Sequence, residues 1–510
     1  MAGISLGEGL VPETLLAAVG KAPAVKLGWE ARSRMKISRA IVDRLAAGKD
    51  AVYGVNTGFG ALAHTRIAPD KVHSLQRNLL LSHAVGTGPD LPAVEKRLAL
   101  LLKMEALAKG SSGVRIGVVE WLMKLYRSGW LPRVPAQGSV GASGDLAPLA
   151  HLFLPVIGAG ELVSPEGRST SARRALARIG MKPLELEAKD GLALVNGMEV
   201  TNAMGIHAWA RLRNLSRVAD AAGALSVEGL LASHRPFDVR VFRLRAHPGA
   251  TRTGANLRKL LAGSGVAQAH ADCDRVQDPY SFRCMPQVHG AAKDAVAHLG
   301  AILVREADSV TDNPLVLGGR HPVVSAGNFH GQPLAIPLDQ AAIAVCAWGN
   351  ISERRTATLV NPAMSGLPAF LTPKPGLNSG LMMAQVTAAA LASENKGLAH
   401  PASADSISTD NDQEDHVSMA PIAARKLHRA LDNLEGILAI EIHTAAQARE
   451  FHRDLRAGKG AEAVYRLVRG HLPPLGNDRY MAPEIDRLCE LVGSGAVAAA
   501  AEKAAGSLKA

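Results

Sequence analysis

The feature that most limits the fold of this 510-residue chain is a set of long stretches with helical apolar spacing. In 288–306, Val288, Ala292, Val296, Leu299 and Leu303 recur every three or four residues, and Glu306 closes the stripe. Similar patterns run through 206–232, 284–310, 337–360, 381–398 and 419–450, with shorter ones through 91–108 and 113–127. Pro92 suits the first turn of its helix. Several of these stretches greatly exceed the average helix of about 11–12 residues. Helices so long cannot cover their apolar faces inside one small domain, so a bundle that extends across subunits is predicted. Aromatic residues are only 4%, while Gly numbers 50. The core must therefore be built from Ala, Leu, Val, Ile and Met, and such small residues suit helices packed at close range.

Charge narrows the partners. Lys and Arg total 57 against 46 acidic residues, a net charge of +11. No run of five basic residues occurs, and few aromatics are interleaved with them, so a platform for stacking bases is not evident. The reading is a solvated basic surface able to attract anionic substrates, with neither nucleic acid nor membrane as partner. Cys273, Cys284, Cys346 and Cys489 form no C-x-x-C pair and no disulfide framework, which points to a reducing, cytoplasmic compartment. The N-terminus lacks the charge and apolar pattern of a signal peptide, and no uninterrupted apolar run reaches about 18 residues.

Several chemistries are excluded by what the loops lack. There is no G-K-S/T triplet for a P-loop and no H-E-x-x-H for a zinc protease. A nucleophile elbow around Ser143 would need Gly where Asp145 stands. The run Asp410, Asp412, Glu414 imitates a calcium loop but has Asp415 and Pro421 at the positions requiring Gly and Glu. No metal is expected.

Unusual residues collect between the helices, where catalytic groups tend to sit. Segment 138–149 reads GSVGASGDLAPL. Its Ala142-Ser143-Gly144 can cyclise if the Gly144 nitrogen attacks the Ala142 carbonyl, because a residue without a side chain lets the backbone fold that tightly. Loss of two waters, one involving the Ser143 hydroxyl, leaves an electrophile made from the chain itself.

This segment resembles the ammonia-lyase and aminomutase family that carries 4-methylideneimidazole-5-one. The likeness spans nearly the whole chain: YGVNTGFG (53–60), NLLLSHAVG (78–86), GSVGASGDLAPLAHL (138–152), GLALVNG (191–197), QDPYSFRC (277–284), DNPLV (312–316), GNFHG (327–331), NSGLMMAQVTAAALASENK (378–396) and QEDHVSM (413–419). Ser82-His83 together with QEDH at 413–416 looks like the histidine-specific branch. The resemblance implies a mainly α fold, with a long-helix central bundle over 111–510 and a smaller loop-rich N-terminal domain over 1–110. It also implies a homotetramer, its active sites built from several subunits, that needs no external cofactor.

The resemblance further implies roles. Tyr53 is the base that takes the β-proton; an ordinary Tyr titrates near about 10, so it needs help from its surroundings. Ala142, Ser143 and Gly144 form the electrophile. Arg283 grips the substrate carboxylate bidentately, and Asn196 contacts the carboxylate and the prosthetic group. Gln277 and Tyr280 are active-site polar residues, and Phe329 walls the ring side. His83 and Glu414 select the substrate, since an imidazole has two nitrogens to satisfy. His330 and His416 are read as structural. Three positions depart from the family pattern, namely Met198, Asp412 and Lys374, and could reshape the pocket or its charge.

The activity implied is deamination of L-histidine to trans-urocanate. Alternatives are a lyase on a trimethylated histidine betaine, a lyase on another aromatic amino acid, an aminomutase, and a catalytically silent scaffold. A quaternary nitrogen has no lone pair to add to an electrophile, so the intact triplet counts against the betaine. Tyr53, Arg283 and the triplet in one chain count against the scaffold.

Overall fold

Helices dominate the computed structural model, which describes residues 3–266 and 276–510. Cys273 lies outside the described residues. The elements that position the site are α1 (Val72–His83), β1 (Thr87–Asp90), α2 (Ala93–Ala108), β2 (Pro135–Gln137), α3 (Leu146–Phe153) and α4 (Asp190–Val195). The long helices are α5 (Glu199–Leu230), α6 (Met285–Ala307), α7 (Gln332–Val360), α8 (Met382–Leu398) and α9 (Ala420–Arg449), followed by α10 (Lys459–Arg469). The mainly α, long-helix bundle expected from periodicity is the observed fold.

Contacts divide the chain into two units. Unit 1 contains 1–207, 300–338 and 401–425; unit 2 contains 208–299, 339–400 and 426–510. This differs from the division at residue 110 read from the sequence. Four of the five boundaries fall inside α5, α6, α7 and α9, and the fifth follows α8, so single helices carry residues of both units.

Unit 2 shows why small residues were needed. A Cβ on Gly223 of α5 would lie 2.4 Å from the Met285 sulfur, so only Gly admits that side chain. Polar nodes lock the same helices. Buried Glu441 accepts from Ser226 (2.7 Å), Ser352 (2.5 Å) and Arg355 Nε (2.5 Å). Buried Asp220 accepts from Asn256 (2.8 Å) and pairs with His289 (2.9 Å) and Lys293 (2.6 Å). Charges with this many partners compensate their own desolvation. By length and composition α7 could cross a membrane, but 67% of its most apolar window is buried and it carries Arg355, so it reads as a core helix.

Unit 1 is rich in loops and short helices. α1 packs against α3 and α4, and β1 pairs antiparallel with β2 just before the 138–145 turn. The Gln76 side-chain oxygen accepts from Gly191 N (2.8 Å) and Leu192 N (3.1 Å), so α1 caps the start of α4.

Candidate active site

A cavity of about 490 Å³ lies in unit 1. One wall is a single face of α1, where Leu75, Asn78, Leu79, Ser82 and His83 recur at helical spacing. Loop residues Tyr53, Phe59 and Leu62 form a second wall. Ser143 and Leu146 enter at the start of α3, and Leu192 and Asn196 at the end of α4. Asn313, Asp410 and Glu414 close the cavity.

The backbone around Ser143 is held from both sides. Gly144 adopts φ +84°, and a Cβ there would lie 2.1 Å from the Gly197 carbonyl oxygen. Asp145 N donates to that same oxygen (2.7 Å). Met419 N donates to Val140 O (2.9 Å), and Ser418 Oγ to Gly141 O (3.2 Å). The Asp145 carboxylate accepts from Thr201 N (2.7 Å) and Thr201 Oγ1 (2.6 Å), so a residue of the turn caps the first turn of α5. Burial pushes the Asp145 carboxyl up to about 7, against those hydrogen bonds, and nearby Glu199 adds to the rise.

Glu414 reaches the turn from the far side of the cavity. Ser143 Oγ donates to Glu414 Oε1 (2.7 Å), and Thr409 Oγ1 donates to Oε2 (2.7 Å). Thr409 and Glu414 also bridge as antiparallel partners across Asp410, Asn411 and Asp412, which all have positive φ. Asp410 accepts from Ala61 N (2.9 Å), tying this tight loop to the Tyr53 loop.

Asn196 Nδ2 donates to Asn313 O (2.7 Å), while its own carbonyl accepts from buried Lys103 Nζ (2.6 Å). Lys103 also pairs with Glu199 (2.8 Å), and Lys189 with Asp312 (2.8 Å), behind the cavity wall. Asn196 is thus fixed at both side chain and main chain.

Burial raises Tyr53 above its ordinary value; Asp410, Glu414 and Asp312 add to the rise, and a hydrogen bond from Gly60 N to its hydroxyl opposes it. Burial lowers His83, while its hydrogen bond at Leu79 and the charges of Glu414 and Asp410 pull the other way.

The model of the aromatic amino acid lyase family matches residues 10–470. The chain belongs to the aromatic amino acid lyase family. It is 52% identical over 488 residues to a histidine ammonia-lyase of Sorangium cellulosum, covering 94% of this chain and 95% of that protein. The crystal structure of histidine ammonia-lyase from Trypanosoma cruzi superposes with a TM-score of 0.90 at 42% identity, covering 99% of this chain and 95% of that one. A tyrosine aminomutase from Streptomyces globisporus superposes with a TM-score of 0.93 at 34% identity, covering 99% and 100%. Lyase and aminomutase thus share this frame, and the residues facing the substrate must separate them.

Aromatic amino acid lyases make an electrophile from their own chain. The Ala142-Ser143-Gly144 turn fits that group: residue 144 must lack a Cβ, its left-handed φ suits Gly, and the turn is pinned at both ends.

Of the residues the resemblance implied, the cavity gathers Tyr53, His83, Ser143, Asn196 and Glu414, with Ala142 and Gly144 adjoining Ser143. It does not gather the others. Phe329 is half-buried in unit 1 but does not line the cavity. Gln277, Tyr280 and Arg283 belong to unit 2. Tyr280 is 71% exposed, with the Arg283 guanidinium 4.6 Å from its ring centroid, and Arg283 Nε is buried without a hydrogen-bond partner. No Lys or Arg is among the described residues lining the cavity. The departures from the family pattern stay off its walls: Met198 lines a small separate void, Asp412 bonds Ser408, and Lys374 is exposed in unit 2. The His330 and His416 rings stack at 5.6 Å.

Sequence reasoning missed Phe59, Asn78, Ser82, Asn313 and Asp410 as lining residues. Asn78 and Ser82 carried a signal, since they share a helical face with His83. Asp410 carried none, because its contact with Ala61 links distant parts of the chain.

Proposed function

We propose that this chain eliminates ammonia from L-histidine to give trans-urocanate, using an electrophile formed from Ala142, Ser143 and Gly144. The observation that carries the reading is one cavity onto which Ser143, Tyr53, His83 and Glu414 all open. Gly144 N bonds to the Ala142 carbonyl carbon, and two waters leave, one carrying the Ser143 hydroxyl oxygen. The 4-methylideneimidazole-5-one group so formed supplies the electrophilic carbon that activates the substrate.

The chain's own side chains do the remaining work. His83, held neutral by burial, has Nδ1 engaged by Ser82 Oγ (3.0 Å) and offers its other ring nitrogen, and Glu414 offers an acceptor, so the two satisfy both imidazole nitrogens. Phenylalanine leaves these groups unpaired and is rejected for that reason. Tyr53 takes the β-proton. Its raised pKa keeps the phenol protonated in one chain alone, so the base role requires a nearby cation. The same cation is needed for the substrate carboxylate, and the described residues lining the cavity include no Lys or Arg.

Arg283 from another copy fills both needs, with exposed Tyr280 and Gln277 and half-buried Phe329 completing the site. Asn196 contacts the carboxylate. The active form is therefore a homotetramer with sites shared between subunits.

The test is incubation of the purified chain with L-histidine, following urocanate absorbance, beside phenylalanine, tyrosine and trimethylated histidine. Turnover of histidine above the others is expected. Preference for any of the others would overturn the reading.

A further inference from the structure

The second large hollow of the molecule carries a charge pattern that deamination does not use. It measures about 700 Å³ and lies in unit 2, between the end of α9, the loop that follows it and one face of α10. Six cations line it: Arg449, Arg453, Arg456, Lys459, Arg466 and Arg469. Lys459, Arg466 and Arg469 recur at helical spacing, so α10 presents them on one side.

Few counter-charges face them. Glu462 pairs with Arg466 (2.7 Å). Glu450 pairs with Arg469 (2.5 Å) and Arg453, and also accepts from Tyr465 Oη (2.9 Å). Six cations against these two carboxylates leave four positive charges unbalanced. Among the described residues no carboxylate pairs with Arg456 or Lys459. Glu228 lies near Arg449, but burial pushes its carboxyl up to about 7.

Arg449 gives the hollow a fixed floor. It is only 4% exposed, and its two terminal nitrogens are held by the carbonyls of His452 (2.6 Å) and Leu455 (2.8 Å). Its Nε is buried with no partner. A buried, unpaired donor in a ring of like charges costs free energy unless an anion completes it.

We propose that this hollow binds an oligophosphate, meaning an anion with two or three linked phosphate groups. Arg forks match phosphate oxygens bidentately, and each terminal phosphate carries roughly one to two negative charges. Two or three such groups balance the four excess positive charges, and the hollow has room for more than one. A nucleoside triphosphate and a free polyphosphate share this chemistry.

The experiment is calorimetric titration of the full-length protein with tripolyphosphate and, separately, with ATP, both without magnesium. Binding of tripolyphosphate is expected, weakening steeply with added salt. Equal affinity for the two ligands identifies the phosphate chain as the recognised part, and tighter ATP binding identifies a nucleotide; both support the site. The double variant Arg456→Glu/Lys459→Glu, which breaks no ion pair, should bind at least ten-fold more weakly. The milder Arg456→Gln/Lys459→Gln pair should show a smaller loss in the same direction. Lys21→Glu/Lys26→Glu makes the same change in net charge on unit 1 and should bind as the unaltered protein does. Histidine turnover should be unchanged in every variant. Failure of tripolyphosphate and ATP to bind, or equal binding by Arg456→Glu/Lys459→Glu and the unaltered protein, would overturn the proposal.

Discussion

Two carboxylates, Asp410 and Glu414, line the cavity while no Lys or Arg does among the described residues, and this imbalance governs what single substitutions should do. A hydrogen bond involving a charged group is worth roughly 1.5–3 kcal/mol, about one to two factors of ten in specificity. His83→Leu should therefore lower histidine kcat/KM by at least ten-fold and raise the relative use of phenylalanine. Glu414→Gln should do likewise, because a neutral amide accepts less strongly from the substrate imidazole N–H, and before cyclisation it also weakens the contact to Ser143 Oγ. Arg283→Lys should weaken every amino acid alike, since it disturbs the shared carboxylate. Measuring kcat/KM for histidine and phenylalanine in the three variants checks this; the same ratio of losses in all three contradicts it. Of these residues, the cavity's own part was legible because they stand in contiguous motifs. The Ser143–Glu414 bond was not, since it joins residues 271 positions apart.

Among the elements, α8 and α9 lie within a residue of their expected ends, because apolar spacing marks helices directly. α5 begins at Glu199, earlier than residue 206, because its first turn is capped from Asp145, which no local pattern reveals. α7 begins at Gln332 and takes Pro337 into its interior, although Pro reads most simply as a first-turn residue. The Asp145 turn carries two predictions. Gly144→Ala meets the Gly197 carbonyl and an unfavourable φ, so it should cost more than about 1 kcal/mol and prevent cyclisation. Denaturant melts and intact mass check it. The second concerns pH. Burial raises Glu306 to about 7, with Glu199 and Asp145 adding to the rise. A carboxyl raised on folding favours the folded state most below its unfolded value near 4.5, and that contribution is lost as pH rises through about 7. Stability should therefore fall between about pH 4.5 and 7, by up to about 3 kcal/mol for this group. Glu306→Gln should flatten that slope in urea melts at several pH values; an unchanged slope contradicts the assignment.

For the whole molecule, the central expectation is that one chain holds an incomplete site. Sedimentation should give a tetramer, and a fully active monomer contradicts it. Sharper evidence comes from co-expressing Ser143→Ala with Arg283→Ala. Each alone should be inactive, while mixed tetramers should regain part of the activity, because some sites then combine an intact turn with an intact Arg283 from different subunits. No recovery would mean that each site draws both from one chain. The bundle was legible from helix length, and the discontinuous units were not, since they depend on where long helices pass from one core to another. The most direct test of the whole account is the rate of urocanate formation from L-histidine by Ser143→Ala beside the unaltered chain, whose intact mass should lie two waters, about 36 Da, below that of its sequence. The account predicts loss of turnover in a folded Ser143→Ala protein; near-normal turnover would contradict it.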